Sequence, residues 1–401
     1  MQLPSKNWVE IDLAAIAHNA RMVRQRVGRG VGIIGVVKSD AYGHGASRVG
    51  LLLESLGVEM LAAASVEEGI VLRDRGIKVP ILVLGCIFQE EVEALLRHSL
   101  IPSLCDKGVA RELSRCAKSL GKVAKVHVKI DTGLGSLGVH HSEALGFIRE
   151  VAVTENLFTE GIFTHFSSST EIDDSHTREQ LHIFKGILRE IDDLGIHVPL
   201  RHAANSGAIL GTAEASFNMV RPGMLLYGLC PYRPDTNHNE HPIGVRPAMT
   251  LKTRLGFIKD ICAGETVSYG RTFKAQRPTR VGVLPLGYDN GYIRALSNRG
   301  EVVIRGQRVP VIGRIRMNHV QVDITDVPDV KVGDDVVLFG GQSGLSVSAE
   351  EVAGQIGTVP YEVVCAAGRS NPRVYTNEVT RDEYKEDSVY RSGGAVPLYK
   401  G

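Results

Sequence analysis

The 401-residue sequence has no apolar run approaching the roughly 18–20 residues that a membrane-spanning helix needs. It has no excess of one charge either. Lys and Arg number 46 against 45 Asp and Glu, a net charge of +1, so no bulk field draws it to nucleic acid or an anionic membrane. Its six cysteines (Cys86, Cys105, Cys116, Cys230, Cys262 and Cys365) lie at least ten intervening residues apart. That spacing removes CxxC zinc and redox motifs and predicts buried free thiols in a reducing compartment. Met1 to Glu10 contains no apolar h-region, so no secretory signal is expected and the cytoplasm is the expected location. There is no P-loop, HExxH or Gly-x-Ser-x-Gly, and no histidine pair has convincing zinc-ligand spacing, so no metal site is expected.

What is present is a long alternation. Apolar runs at Val31–Lys38, Glu59–Ala64, Pro80–Leu84, Leu100–Leu104, Ala124–Ile130, Phe158–His165, Pro199–Ala204 and Asn218–Arg221 are separated, for the most part, by helical patterns. One helix starts after Asp12, which can cap it, and another spans Asp174 to Leu194. Eight strands alternating with helices over about 200 residues predict an α/β fold of the (β/α)8 TIM-barrel class. The Pro-rich stretch Cys230–Pro247 reads as a linker. The period then changes to two, with expected strands at Thr250–Asp260, Arg280–Leu286, Glu301–Arg305, Gln307–Val311 and Asp335–Phe339 and a helix over Val347–Ile356. The expected domains are a barrel over 1–243, with its first ten or so residues expected to pack with the second domain, a mainly β domain over 244–375, and a charged, loosely ordered tail over 376–401.

Chemistry in such a barrel sits at the C-terminal ends of the strands. Those ends carry Lys38, Leu84, Lys129 with Asp131, His165, Asn205 with Ser206, and Arg221. Any one of these alone would read as a solvated loop residue. Together they put a cationic or hydrogen-bonding group on five of the eight ends. Lys38 ends the run Val31-Gly-Ile-Ile-Gly-Val-Val, so its stem is expected to be buried and its ammonium desolvated. A lysine of that kind suits Schiff-base chemistry. Tyr42 follows in a short glycine-flanked loop from which a phenol can reach a phosphate. Two Gly-x-Gly-x-x-Gly patterns begin at Gly30 and Gly133. The first lies inside a strand. The second follows a strand bearing Lys125, His127 and Lys129, too polar for the centre of a dinucleotide-binding sheet.

At Val36-Val37-Lys38-Ser39-Asp40-Ala41-Tyr42-Gly43-His44-Gly45 the sequence resembles the alanine racemases. Further matches are Lys129-Ile-Asp131-Thr-Gly133-Leu-Gly135, Thr164-His165-Phe166, His202-Ala-Ala-Asn205-Ser206-Gly207, Val220-Arg221-Pro222-Gly223, Val267-Ser268-Tyr269-Gly270, Leu286-Gly287-Tyr288, Gly313-Arg314-Ile315-Arg316-Met317 and Pro360-Tyr361-Glu362. The resemblance implies a cytoplasmic homodimer with shared active sites that uses pyridoxal 5′-phosphate to interconvert L- and D-alanine, supplying D-alanine for peptidoglycan. Lys38 would carry the cofactor and act as one base. Tyr269 of the other subunit would be the second, a phenol with a reference pKa of about 10 that needs cations nearby. Tyr42, Asn205, Ser206 and the backbone at Gly223 and Met224 would hold the phosphate, with Leu84 also at the cofactor. Arg221 would face the pyridine nitrogen with His165 behind it. A guanidinium does not give up its proton, so it limits how far electrons drain into the ring and suppresses transamination and decarboxylation. Tyr288 and Met317 would shape the substrate side.

Three positions depart from the family. Ser136 stands where an Arg braces the strand lysine matching Lys129, which is carbamylated in many members, and the loss argues against that modification. Asn318 replaces an Asp after Met317. Arg369 falls where several members have a Tyr beside the phosphate, and would serve the phosphate or an anionic substrate group. These departures keep open a racemase for serine or a longer amino acid, and a pyridoxal-phosphate-binding homologue without racemase activity. A nicotinamide oxidoreductase using the second glycine pattern is the remaining alternative.

Overall fold

The computed structural model describes residues 5–230, 242–342 and 344–378. Most of the expected linker (231–241) and most of the expected tail (379–401) lie outside the described residues.

The chain enters through strand β1 (Asn7–Asp12) and helix α1 (Leu13–Val27). Asp12 caps α1 by accepting from Ala15 N–H, and Ile16, Ala20 and Val23 form its buried stripe. The strands that follow are β2 (Gly32–Val36), β3 (Met60–Ala63), β4 (Ile81–Val83), β5 (Ile101–Leu104), β6 (Ala124–Asp131), β7 (Leu157–Phe163), β8 (Leu200–His202) and β9 (Met219–Val220). Helices α2 (Ala46–Ser55), α3 (Val66–Asp74), α4 (Val92–Arg97), α5 (Lys107–Ser119), α6 (Ala144–Ala152), α7 (Ser175–Asp193) and α8 (Ser206–Gly211) connect them. All eight strands pair in parallel; β9 joins β2 and β5 joins β6, closing the sheet into a barrel. Every expected run carries its strand.

The lumen is divided. Ile34, Val36, Met60, Ala62, Leu82, Ile101, Leu200 and Met219 form an apolar cluster separate from the main core. The inward positions of β6 are instead Lys125, His127 and Lys129, while Val126, Val128 and Ile130 face the main core under the helices.

Beyond the barrel come β10 (Met249–Arg254), β11 (Phe257–Ile261), β12 (Thr279–Leu284), β13 (Glu301–Ile304), β14 (Gln307–Pro310), β15 (Val320–Asp323), β16 (Asp335–Gln342), α9 (Ala349–Ile356), α10 (Pro360–Ser370) and β17 (Arg373–Thr376). One sheet runs β14-β13-β16-β10-β1-β17, so the amino-terminal strand belongs to it; a second runs β11-β12-β15. The single strand expected over Thr250–Asp260 is two. The chain changes sheets at Leu255 and Gly256, whose N–H groups go to Asp334 and Val283 respectively. Strand β15, helix α10 and strand β17 were not read from the sequence. No helix among the described residues is long and apolar enough to cross a membrane.

Candidate active site

Lys38 stands two residues beyond the end of β2, at the mouth of the barrel. It is half-buried, less than its apolar run predicted, because β2 ends at Val36 and the lysine reaches the rim. The turn after it is unusual. Ser39, Asp40, Ala41 and Tyr42 all have φ between 52° and 54°, a left-handed turn of non-glycine residues that costs roughly 1–2 kcal/mol per residue. The surroundings hold it there. Glu68 accepts from Ser39 N–H at 2.8 Å and from Ala64 N–H at 2.7 Å. Asp40 accepts from Ala46 N–H and pairs with Arg373, which also donates to Gly43 O. A Cβ on Gly43 would lie 2.7 Å from Val364 O of α10, so only glycine allows this approach. Four separate contacts therefore fix the segment that aims Lys38 and Tyr42, which is where backbone strain is found in functional sites.

Tyr42 packs against Tyr227 and Tyr361, with ring centroids 5.0 and 5.8 Å away. Burial raises its phenol well above the usual range, so it stays a donor. Its Oη would sit 2.6 Å from a Cβ on Gly223; the missing side chain there makes the room. Ser206 Oγ accepts from Gly223 N–H at 3.0 Å and Leu225 N–H at 3.3 Å, which leaves its own proton free to donate. The Gly223 amide, expected to hold a phosphate, donates to Ser206 in this structure. Asn205 caps α8 through Ala208 N–H and accepts from Ser169 Oγ–H at 2.7 Å, so it positions Ser206. Met224 is buried and Leu84 packs against the lumen cluster with Tyr42.

Arg221 is 3% exposed. Nη1 donates to His202 Nδ1 at 2.7 Å, and Nη2 to Thr164 O at 2.7 Å, Ala203 O at 3.0 Å and His165 Nδ1 at 3.2 Å. Burial pushes the guanidinium down to about 9, still cationic at neutral pH. His165 is pushed down to about 3, first by burial and then by the charges of Arg221, Lys129 and Lys38, so its ring is neutral. Lys129 is buried, with its ammonium 5.9 Å from the centre of the Phe163 ring. Burial lowers its pKa, and the charge of Arg221 lowers it further. Ser136, on the exposed loop after β6, supplies no charge. The amides of Gly133, Leu134 and Gly135 all donate to Asp131 Oδ1. The second glycine pattern is therefore committed to its own chain's carboxylate, which excludes the dinucleotide reading.

The remaining expected site residues lie in the second domain and are open. Tyr269 is 71% exposed, Met317 53% and Tyr288 42%; Asn318 is exposed as well. They are tied to one another. Ser268 Oγ donates to Arg314 O, and the Arg314 guanidinium packs on Gly270. Tyr288 N–H and Asp289 N–H donate to Arg316 O and Met317 O. Arg369 is exposed in the last turn of α10, where its charge and that of Lys38 both act on Cys365. No hydrogen bond or ion pair among the described residues links Tyr269 to Lys38. Sequence reading missed Glu68, Tyr227 and Arg373. Tyr227 is fully buried, donates to Val36 O at 2.8 Å and stacks on His44; only its position in an apolar run hinted at this. Five of the six cysteines are exposed or half-buried and only Cys116 is buried; Cys86, Cys105, Cys230 and Cys262 lie in loops outside the strands and helices, where apolar neighbours in sequence do not enforce burial.

A family model for the alanine racemase N-terminal domain matches residues 11–231, and one for the C-terminal domain matches residues 248–375. The chain belongs to the alanine racemase family. It is 41% identical over 372 residues to an alanine racemase of Halothermothrix orenii, covering 93% of this chain and 97% of that one. It is 40% identical over 368 residues to an alanine racemase of Desulfovibrio desulfuricans, 92% of this chain and 97% of that one. Among solved structures, alanine racemase from Clostridium difficile 630 superposes with a TM-score of 0.87 at 36% identity, covering 94% and 98% of the two chains. That of Bacillus anthracis with bound L-Ala-P gives 0.85 at 30% identity over 95% and 98%.

Proposed function

We propose that the protein is a pyridoxal-phosphate-dependent alanine racemase, acting as a homodimer in which each barrel mouth is completed by the partner's second domain. The observation that carries the reading is one barrel mouth holding a reachable lysine, hydroxyl donors at Tyr42 and Ser206, and a buried, donor-only guanidinium. The pocket fits the cofactor's chemistry. Lys38 Nζ is the group for the aldehyde, the Tyr42 and Ser206 hydroxyls suit a phosphate, and the room above Gly223 lets Tyr42 close over it. Bound there, pyridoxal phosphate would acidify the substrate Cα–H by delocalising the carbanion.

This chain's residues then move the proton. The Lys38 amine takes it from one face, and the partner subunit's Tyr269 returns one on the other. Arg221, fixed by four hydrogen bonds and cationic at neutral pH, would keep its charge toward the cofactor ring and so favour proton exchange over other outcomes. Exposed Tyr269, Tyr288 and Met317, linked by their own loops, supply the missing wall. The free thiols Cys86 and Cys262, exposed here, suit a reducing compartment, and we place the enzyme in the cytoplasm, supplying D-alanine for peptidoglycan. Lys129 serves as an unmodified cation, since Ser136 offers nothing to brace a carbamate. The test is the circular dichroism of L-alanine incubated with cofactor-loaded protein, run beside L-serine and longer L-amino acids. Decay of ellipticity fastest with alanine is expected; an unchanged signal with every amino acid would sink the proposal.

A further inference from the structure

The polar half of the barrel lumen holds a column of buried polar side chains behind Arg221. Arg221 Nη1 donates to His202 Nδ1 at 2.7 Å; His202 Nε2 meets His127 Nδ1 at 2.8 Å. His127 Nε2 faces Glu160 Oε2 at 3.5 Å, and Glu160 Oε1 accepts from Lys125 Nζ at 2.8 Å. His127 and His202 are fully buried and Glu160 is 3% exposed, while the Lys125 side chain is 37% exposed at the opposite end of β6. His127 Nε2 and Glu160 Oε2 approach at ion-pair distance without forming a hydrogen bond in this structure, and neither atom has a hydrogen-bond partner elsewhere among the described residues. Barrel interiors of this class are filled by layers of bulky branched side chains, as the other half of this lumen is.

Two backbone features serve the column. Val126 pairs with Thr159 but His127 pairs with Gly161, so Glu160 is the extra residue of a β-bulge in β7, a device that re-aims a side chain. A Cβ on Gly161 would lie 2.5 Å from His127 Nδ1, so glycine makes the space for that imidazole.

Valence sets the direction of every bond. A guanidinium has donors and no acceptor, so His202 Nδ1 must present its lone pair and carry its proton on Nε2. That proton can only go to a lone pair on His127 Nδ1, so His127 also carries its proton on Nε2, pointing at Glu160. We propose that Glu160, oriented by the bulge and paired with Lys125, is a positioning residue that anchors a one-way donor chain through two neutral histidines and thereby fixes the Arg221 guanidinium. Its carboxylate ends the chain with a charge that a second amide or hydroxyl could not supply. The groups facing the two imidazoles are Arg221, Glu160 and Lys125. Burial, with the charge of Arg221, lowers both histidines, in keeping with neutral rings.

This role rests on the racemase reading, but its first test does not. In 15N-histidine-labelled holoenzyme, long-range 1H–15N correlation should show His127 and His202 as Nε2–H tautomers between pH 6 and pH 7.5, where Arg221 is protonated. A proton on His202 Nδ1, or an imidazolium on either residue, would overturn the proposal even in an active enzyme. The second test is Glu160→Gln, which keeps shape and an acceptor and loses the charge. We expect kcat for alanine to fall about tenfold, as for other orienting partners, with KM within about twofold and the pH profile displaced; Glu160→Asp should restore part of the loss. Wild-type kcat and pH profile in Glu160→Gln, with only a lower Tm, would reduce the column to packing. If the wild type racemises nothing, the tautomers still judge the chain while the racemase reading fails separately.

Discussion

The barrel mouth and the open face of the second domain, the two halves of the proposed shared site, are finished to different degrees. In the mouth several polar groups are held by defined partners. Arg221 makes four hydrogen bonds, and the strained turn at 39–42 is held from Glu68, Arg373 and α10. On the second domain Tyr269, Met317 and Tyr288 are bound to one another's loops and otherwise lie open. The difference supports the proposed reading, in which a single chain would build a pocket for the cofactor but not for the whole reaction. A racemase needs bases on both faces of one carbon, and this fold supplies one of them from its own barrel.

The largest break in that comparison is at the finished half. Lys38→Ala should lower racemisation by about 10⁴-fold or more, because the covalent anchor and one base go together; D-alanine formation and the loss of a borohydride-fixable cofactor check it. Tyr269→Phe should cost about 10²–10⁴-fold while leaving cofactor absorbance at Lys38 unchanged, since the open face takes no part in anchoring. Mixing these two inactive variants sharpens the contrast. Reassorted dimers would contain one mouth with a native lysine facing a native tyrosine, and activity should recover to about a quarter of wild type. No recovery after verified subunit exchange would mean that both bases come from one chain.

Smaller effects follow within the mouth. Gly223→Ala must displace the Tyr42 phenol, and the affinity for pyridoxal phosphate should fall by about tenfold, the cost of a modest overpacking, read from an absorbance titration. The least dramatic is a stability change with acid. His44 is held near 4 and His165 near 3, chiefly by burial, against an ordinary value of 6.5. Their folded-state values are depressed, so below pH 6.5 the unfolded chain binds protons that the folded chain refuses. The stability present above 6.5 is therefore lost as pH falls toward 4, by about 2 kcal/mol for each such histidine at pH 5. Urea denaturation at pH 7 and pH 5 measures it, and second-domain variants should leave the slope unchanged.

Much of the barrel was legible. Fully buried parallel strands read as apolar runs, and each run from Val31 to Arg221 carries one. Their ends also pointed to Lys38, His165, Ser206 and Arg221, because strand ends in this fold converge on one mouth. The second domain was less legible. Strand β15 is four residues long and helix α10 begins at a proline, so neither shows enough period to identify. The Lys125-His127-Lys129 alternation was visible and argued against a dinucleotide sheet, but Glu160 was not connected to it. A bulge shifts the register by one residue, and no period-two pattern records that.

What the sequence determined by itself was the order and type of the barrel elements, the chemical groups at their ends and the family, because these depend on local pattern and on which residues occur where. What only the tertiary structure decided was how those groups are aimed. The left-handed turn after Lys38 exists because Glu68 and Arg373, 30 and 335 positions away, hold it. The direction of the histidine column is set by a guanidinium that can only donate. Both depend on groups far apart in the chain reaching hydrogen-bond distance, and that is settled by packing.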